Sequence, residues 1–416
     1  MRQLIAAVVL VGIAGVCHAQ EPKWLLGRAT KLPSEYTNQE SGYFSIVEGR
    51  NGRLYVGAAK YGVNAYLLEY DPKTDTTKMV IDAHQVIGTK ATGFAAQSKF
   101  HTRNNVGESG KIYVGTKQGY PEKGESRDLY PGGYAMTYDP STGKVEHFGI
   151  AKPKHGIISV TPDESRGLVY ISTCSDDRPI DHTHFMIYDV KEKSYTDLGD
   201  MEHAYAFIVI DNQGRAYHPI RGGTVARWDP DKKKLDRLKV SIDGQPAPPS
   251  ITKDHAILNW EVSPDRKTLY CVEMVTNQLF SFDLTASGDT IPGKSLGALI
   301  PGAKHTDCRA MAVAPDGTVW AAVTVQQTAG GLHLVGCKPG QSPRDHGSVG
   351  VANADFTSFT DANGKEKPWH HTMPKHKDGT RAPWQPMGVC GMKDGSVDVL
   401  TIAPFTLIRL EKKQLE

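Results

Sequence analysis

Beyond its first twenty residues the sequence has no long apolar run, and nowhere has it a block of like charge or a CxxC pair. The missing apolar runs exclude a bundle of membrane-spanning helices. Lys and Arg number 48 against 46 Asp and Glu, a net charge of +2, and no basic stripe interleaved with aromatics occurs. Nucleic acid is therefore not an expected partner. Helical periodicity of apolar residues is almost absent. What is plentiful is turn chemistry: 42 Gly and 25 Pro in 416 residues, with no collagen-like or low-complexity period.

The first residues, MRQLIAAVVLVGIAGVCHAQ, combine a positive start at Arg2, an apolar stretch from Leu4 to Val16 and a small-residue cleavage site ending at Ala19. This pattern predicts a signal peptide over residues 1–19 and a protein that is secreted or periplasmic, with no membrane attachment after cleavage. The apolar stretch is short for a retained anchor. A lipoprotein reading through Cys17 conflicts with the bulky Val16 before it. Removing Cys17 leaves Cys174, Cys271, Cys308, Cys337 and Cys390. An odd count with no short spacing does not indicate a disulfide framework.

One hairpin recurs along the chain. Its second strand reads GRLYVGA from Gly52, GKIYVGT from Gly110, GLVYIST from Gly167, GRAYHPI from Gly214, KTLYCVE from Lys267, GTVWAAV from Gly317 and GSVDVLT from Gly395. Turns such as Pro264-Asp265 and Pro315-Asp316-Gly317 precede most copies, and a third strand ending in a Tyr-Asp-like pair follows many, as in YLLEYDPKTD from Tyr66. Alternating β-branched and aromatic residues mark strands. A repeat of about 50 residues suits four-stranded blades. The expected fold is all-β: a seven-bladed β-propeller closed by pairing of N- and C-terminal strands, in one domain over residues 20–416. TLIRLEKK from Thr406 and KWLLGRATKL from Lys23 are the closing strands. A long insertion at about 337–385, rich in turn residues and holding His346, His370, His371 and His376, departs from the repeat.

Aligning the hairpins on their turns sets His155, Tyr205 and Cys308 at one level of the first strands. Lys117, Cys174 and Arg221 fall at the matching level of the second strands. Lys117, His155, Tyr205 and Arg221 are then offered to one mouth, with His101 as a further channel-side imidazole. These types suit β-elimination on a carboxylated sugar. A guanidinium stabilises the enediolate that develops when the proton α to the carboxylate leaves. A His or Tyr removes that proton and the other protonates the departing oxygen. Singly, each has a structural reading: Tyr205 as channel wall, Arg221 as a solvated loop end, His218 as a core histidine beside Pro219.

KFHT at Lys99–Thr102 followed by GKIYVGT, with Tyr205 and Arg221 sixteen residues apart across a hairpin, resembles the seven-bladed propeller polysaccharide lyases typified by ulvan lyases. The resemblance implies an exported lyase in which His101, Tyr205 and Arg221 act on a uronate, with no cofactor required for the chemistry. The family's second His is expected near GTKQGY, where this chain has Lys117, so His155 stands as its substitute and Lys117 as a substrate-binding cation. His370 and His371 are expected to reach the substrate over the channel. By residue type, His255, Cys271, Cys308 and Cys337 are candidates for a structural metal such as zinc, although buried thiols need no metal. The expected partner is an acidic polysaccharide or oligosaccharide, and the chain is expected to act as a monomer. Two other functions stay open: a metal-dependent lactone or ester hydrolase, for which Glu202, Glu261 and Glu273 are the available carboxylates, and a non-catalytic glycan-binding propeller.

Overall fold

The computed structural model describes residues 21–37, 41–176, 182–203, 207–247, 259–273, 276–326, 329–353, 373–383, 385–402 and 405–416. After β1 (Trp24–Lys31), pairing among the described residues sorts the strands into successive antiparallel groups. The first holds β2 (Ser41–Glu48), β3 (Leu54–Lys60), β4 (Asn64–Asp71) and β5 (Thr76–Asp82). In the second, β6 (Lys99–Phe100) and β7 (Asn105–Val106) lie end to end beside β8 (Ile112–Lys117), followed by β9 (Tyr134–Tyr138) and β10 (Val145–Ile150). The third holds β11 (Gly156–Asp163), β12 (Leu168–Cys174), β13 (His184–Asp189) and β14 (Ser194–Asp200). The fourth holds β15 (Val209–Ile210), β16 (Ala216–Ile220), β17 (Thr224–Asp229) and β18 (Lys234–Ile242), with β19 (Gln245–Pro246) added to β18. The fifth holds β20 (Asn259–Val262), β21 (Thr268–Val272), β22 (Gln278–Asp283) and β23 (Thr290–Ala298). The sixth holds β24 (Asp307–Val313), β25 (Val319–Thr324), β26 (Leu332–Cys337) and β27 (Arg344–Val351). The last holds β28 (Pro386–Gly391), β29 (Val397–Ile402) and β30 (Phe405–Leu410), and β1 pairs antiparallel with β30.

Each group's first strand touches the first strand of the next. β2 meets β7, and contacts run on through β11, β15, β20, β24 and β28, which returns to β2. The recurring hairpin strands read from the sequence fall on β3, β8, β12, β16, β21, β25 and β29. Within the stretch 337–385, Arg344–Val351 is an outer strand, and residues 373–383 are also described.

The apolar core is divided among the seams between groups. Leu54, Val56 and Leu68 of the first group pack with Leu400, Phe405 and Leu407 of the last. Trp260, Cys271 and Phe282 of the fifth pack with Val225 and Leu238 of the fourth. Each such side chain contributes about 1.5–3 kcal/mol when fully buried, so the hydrophobic effect acts mainly by clamping neighbouring groups side by side. Three second-strand tyrosines are buried with the hydroxyl tied to a carboxylate of the same group or the next. Tyr55 donates to Glu69 at 2.7 Å, Tyr113 to Glu164 at 2.8 Å and Tyr217 to Asp211 at 2.8 Å. The turn before β16 shows how the chain reverses. The Asp211 carboxylate accepts the backbone N–H of Gln213 and Arg215, each at 2.9 Å, and Gly214 takes a left-handed φ of 82°.

Candidate functional site

At the entry end of the first strands the register brings cations together. Lys99 of β6 stands opposite Lys117 of β8. Lys99 is 1% exposed and Lys117 is fully buried. The Lys117 ammonium lies 3.4 Å from the Asp176 carboxylate and 3.5 Å from the Cys174 sulfur. Gly156 makes room for it: a Cβ there would lie 2.4 Å from Lys117 Cγ. The Lys99 ammonium donates to the Tyr61 hydroxyl at 3.2 Å and lies 4.8 Å and 4.7 Å from the ring centres of Tyr61 and Tyr120.

His101 follows Lys99 by two residues. It is buried, with its ring edge-on to Phe44 at 5.7 Å. Burial first, then the charges of Lys99, Lys117 and Arg309, push its pKa well below the ordinary imidazole range. The imidazole is therefore neutral at pH 7. Arg309 is itself held by Asp307, with Nη2–Oδ2 at 2.7 Å.

His155 lies along the same rim, one residue before Gly156. Its Nδ1 is 3.2 Å from Thr173 Oγ1 and its ring is edge-on to His184 at 5.3 Å. Burial, followed by the charges of His184 and Lys152, lowers its pKa to about 4. Two further imidazoles lie near it in space. His184 Nδ1 meets Asp197 at 2.8 Å and His182 Nδ1 meets Asp200 at 2.5 Å. His218 is structural: Nδ1 donates to the Pro219 carbonyl at 2.7 Å, Nε2 lies 3.0 Å from the Ser172 hydroxyl, and the ring stacks on Phe185.

Arg221 is exposed at the end of β16, and its backbone N–H donates to the Met201 carbonyl at 3.1 Å. The segment entering the fourth group's first strand thus runs beside the exit of its second. Tyr205, His255, His370 and His371 lie outside the described residues. Cys271, Cys308 and Cys337 are buried free thiols in apolar seams, Cys271 between the fourth and fifth groups and the other two between the fifth and sixth. Burial raises all three thiol pKa values, that of Cys308 to about 12. Among the described residues no group of three or more His, Cys, Asp or Glu is placed to hold a metal ion.

Lys99, Tyr61, Tyr120 and Asp176 are site residues that the hairpin alignment did not select. Lys99 carried a signal, since strand residues two apart share a face and Lys99 is two before His101. Tyr61, Tyr120 and Asp176 sit in loops whose course depends on contacts distant in sequence.

Toward the other end of the first strands lies a separate cavity of about 340 Å³. Arg103 and Glu261 form an ion pair in its wall, and Arg103 also donates to the Trp260 carbonyl at 2.7 Å and lies over the Phe207 ring.

No family model matches the chain, and no curated protein matches it in sequence. Solved structures do match in shape. The extracellular domain of a hybrid two-component system from B. thetaiotaomicron aligns over 93% of this chain at TM-score 0.52 and 9% identity. This chain spans 40% of that one. The β-propeller domain of Cps50 (Swd1) from Myceliophteria thermophila aligns over 91% of this chain and 97% of its own, at TM-score 0.51 and 10% identity. A periplasmic gluconolactonase from Pseudomonas aeruginosa covers 88% of both chains, at TM-score 0.49 and 14% identity. At 9% and 10% identity the first two likenesses show the fold alone, a β-propeller.

Proposed function

We propose that the chain is an exported, seven-bladed propeller lyase that cleaves a uronate-containing acidic glycan by β-elimination. The circuit of first-strand contacts and the β1–β30 pairing support a closed ring of seven blades. The observation that carries the functional reading is the placement of the His101 imidazole beside the buried, facing cations Lys99 and Lys117 at one mouth. Such a mouth favours a carboxylate and sets an imidazole beside it.

In this reading Arg221 grips the sugar carboxylate with its planar two-donor fork and offsets the charge of the enediolate. His101, being neutral, accepts the proton α to that carboxylate, and the Tyr205 phenol protonates the leaving glycosidic oxygen. The C4–O bond breaks, a C4=C5 double bond forms and no external reductant or oxidant is consumed. Lys117, His370 and His371 bind substrate, and His155 takes the place of the family's second imidazole.

The test is incubation of the full chain with a panel of uronate polymers while following the ultraviolet absorbance of unsaturated ends. Tyr205→Phe and Arg221→Ala are each expected to lower the rate by about 10²–10⁴-fold. No unsaturated ends from any polymer overturns the lyase. Glycan binding without turnover would then identify a binding propeller, and metal-dependent lactone hydrolysis would identify a hydrolase.

A further inference from the structure

We infer that Tyr61 and Tyr120 form a sugar-stacking subsite on the rim of the mouth, taking an acidic hexose ring one unit or more from the bond cleaved. This rests on the glycan reading above and names how the chain of sugars is held.

Tyr120 is 55% exposed, whereas Tyr55, Tyr113, Tyr130, Tyr170 and Tyr217 are all buried. An aromatic ring left in water forgoes the stabilisation its burial would bring. The loop that carries it is nonetheless held in place. Tyr120 follows β8 by three residues, and its ring centre lies 5.4 Å from that of Tyr61 with the planes tilted by 37°. Gly119 permits the approach, because a Cβ there would lie 3.0 Å from both the Tyr61 ring and Ser98 Oγ.

The ammonium of Lys99 lies within 5 Å of both ring centres and bonds the Tyr61 hydroxyl. The pair is thus an aromatic surface backed by a buried cation. That combination suits an acidic sugar. The ring's axial C–H groups lie against the negative π face, and the carboxylate is drawn to the ammonium. A neutral sugar would use only the first interaction and a free carboxylate only the second. Because Lys99 faces Lys117 across the β6–β8 ladder, the platform continues the cationic mouth outward along the rim.

The experiment is titration of the full chain with a uronate monosaccharide, a uronate tetrasaccharide and the carboxyl-reduced tetrasaccharide, read by calorimetry. For Tyr120→Ala the tetrasaccharide is expected to bind about tenfold more weakly, the size of one aromatic stacking contact. Binding of the monosaccharide is expected to be unchanged. Tyr120→Trp retains affinity, and the reduced tetrasaccharide binds weakly to every form. In turnover assays Tyr120→Ala raises KM and leaves kcat within about twofold.

Unchanged tetrasaccharide affinity in both Tyr120→Ala and Tyr61→Ala overturns the platform and leaves the lyase standing. Absence of tetrasaccharide binding by the unaltered chain also overturns it. Binding that depends on Tyr120 but produces no unsaturated ends supports the platform while removing the lyase.

Discussion

His155, His218 and His346 are held neutral by burial. Their pKa values fall to about 4, about 3 and about 4 respectively, against roughly 6.5 in an unfolded chain. Between those limits the unfolded state binds more protons, so folding stability rises with pH. The contribution is complete above about pH 6.5 and is lost as pH falls toward about 4. Melting temperature should therefore decline across that window. His346→Gln, which removes an imidazole lodged against Trp320, should flatten part of the decline, and an unchanged slope would count against this cause. The same scale shows how legible the site was. His101 is legible as a candidate through KFHT and the GKIYVGT hairpin after it, and its lowered pKa follows from neighbours that the sequence alone does not assemble. Asp176 was not found. It sits with a left-handed φ of 62° just past β12, and its carboxylate matters only because Lys117 from another group reaches it.

At the level of strands and turns, the reversal before each second strand needs a left-handed residue. Gly52, Gly110, Gly167, Gly214, Gly317 and Gly395 supply it, and in the fifth group Arg266 does so at φ 57°. A side chain in that conformation costs about 1–2 kcal/mol. Arg266→Gly should consequently stabilise the protein by about 0.5–1 kcal/mol, seen as a higher denaturation midpoint at unchanged slope. A lower midpoint would show that the Arg266 side chain outweighs the strain. These turns made the hairpins readable, because Gly and Asp at fixed offsets from a β-branched run need only local information. Two elements resisted such reading. The first strand of the second group is split between β6 and β7, where the Thr102 hydroxyl accepts the Gly115 N–H at 3.1 Å and Arg103 bridges to Ser159. β27 resembled a loop because it holds Gly347 and Gly350. A Cβ at Gly347 would lie 2.3 Å from the Lys23 carbonyl, so the requirement is imposed by the residue leading into β1, far away in the sequence.

Across the whole molecule β1 is the joint. Trp24–Gly27 pairs parallel with β27, and Arg28–Lys31 pairs antiparallel with β30. Gly27 lies at the crossing, where a Cβ would come within 2.6 Å of Ile408 and 2.8 Å of the Arg409 carbonyl. Removing residues 21–31 should bare the edges of β27 and β30 and convert the protein to aggregates, as size-exclusion chromatography would reveal. A truncated chain that stays monodisperse with an unaltered melting temperature would refute this. Gly27→Val should lower the melting temperature by overpacking, which costs about 1–3 kcal/mol. The Gln414 amide donates to the Leu26 carbonyl across 388 residues of chain. At a synthesis rate of roughly 5–20 residues per second, that interval is on the order of 20–80 s. Through most of it the earliest strand waits without its mates, because β27 and β30 are both made late.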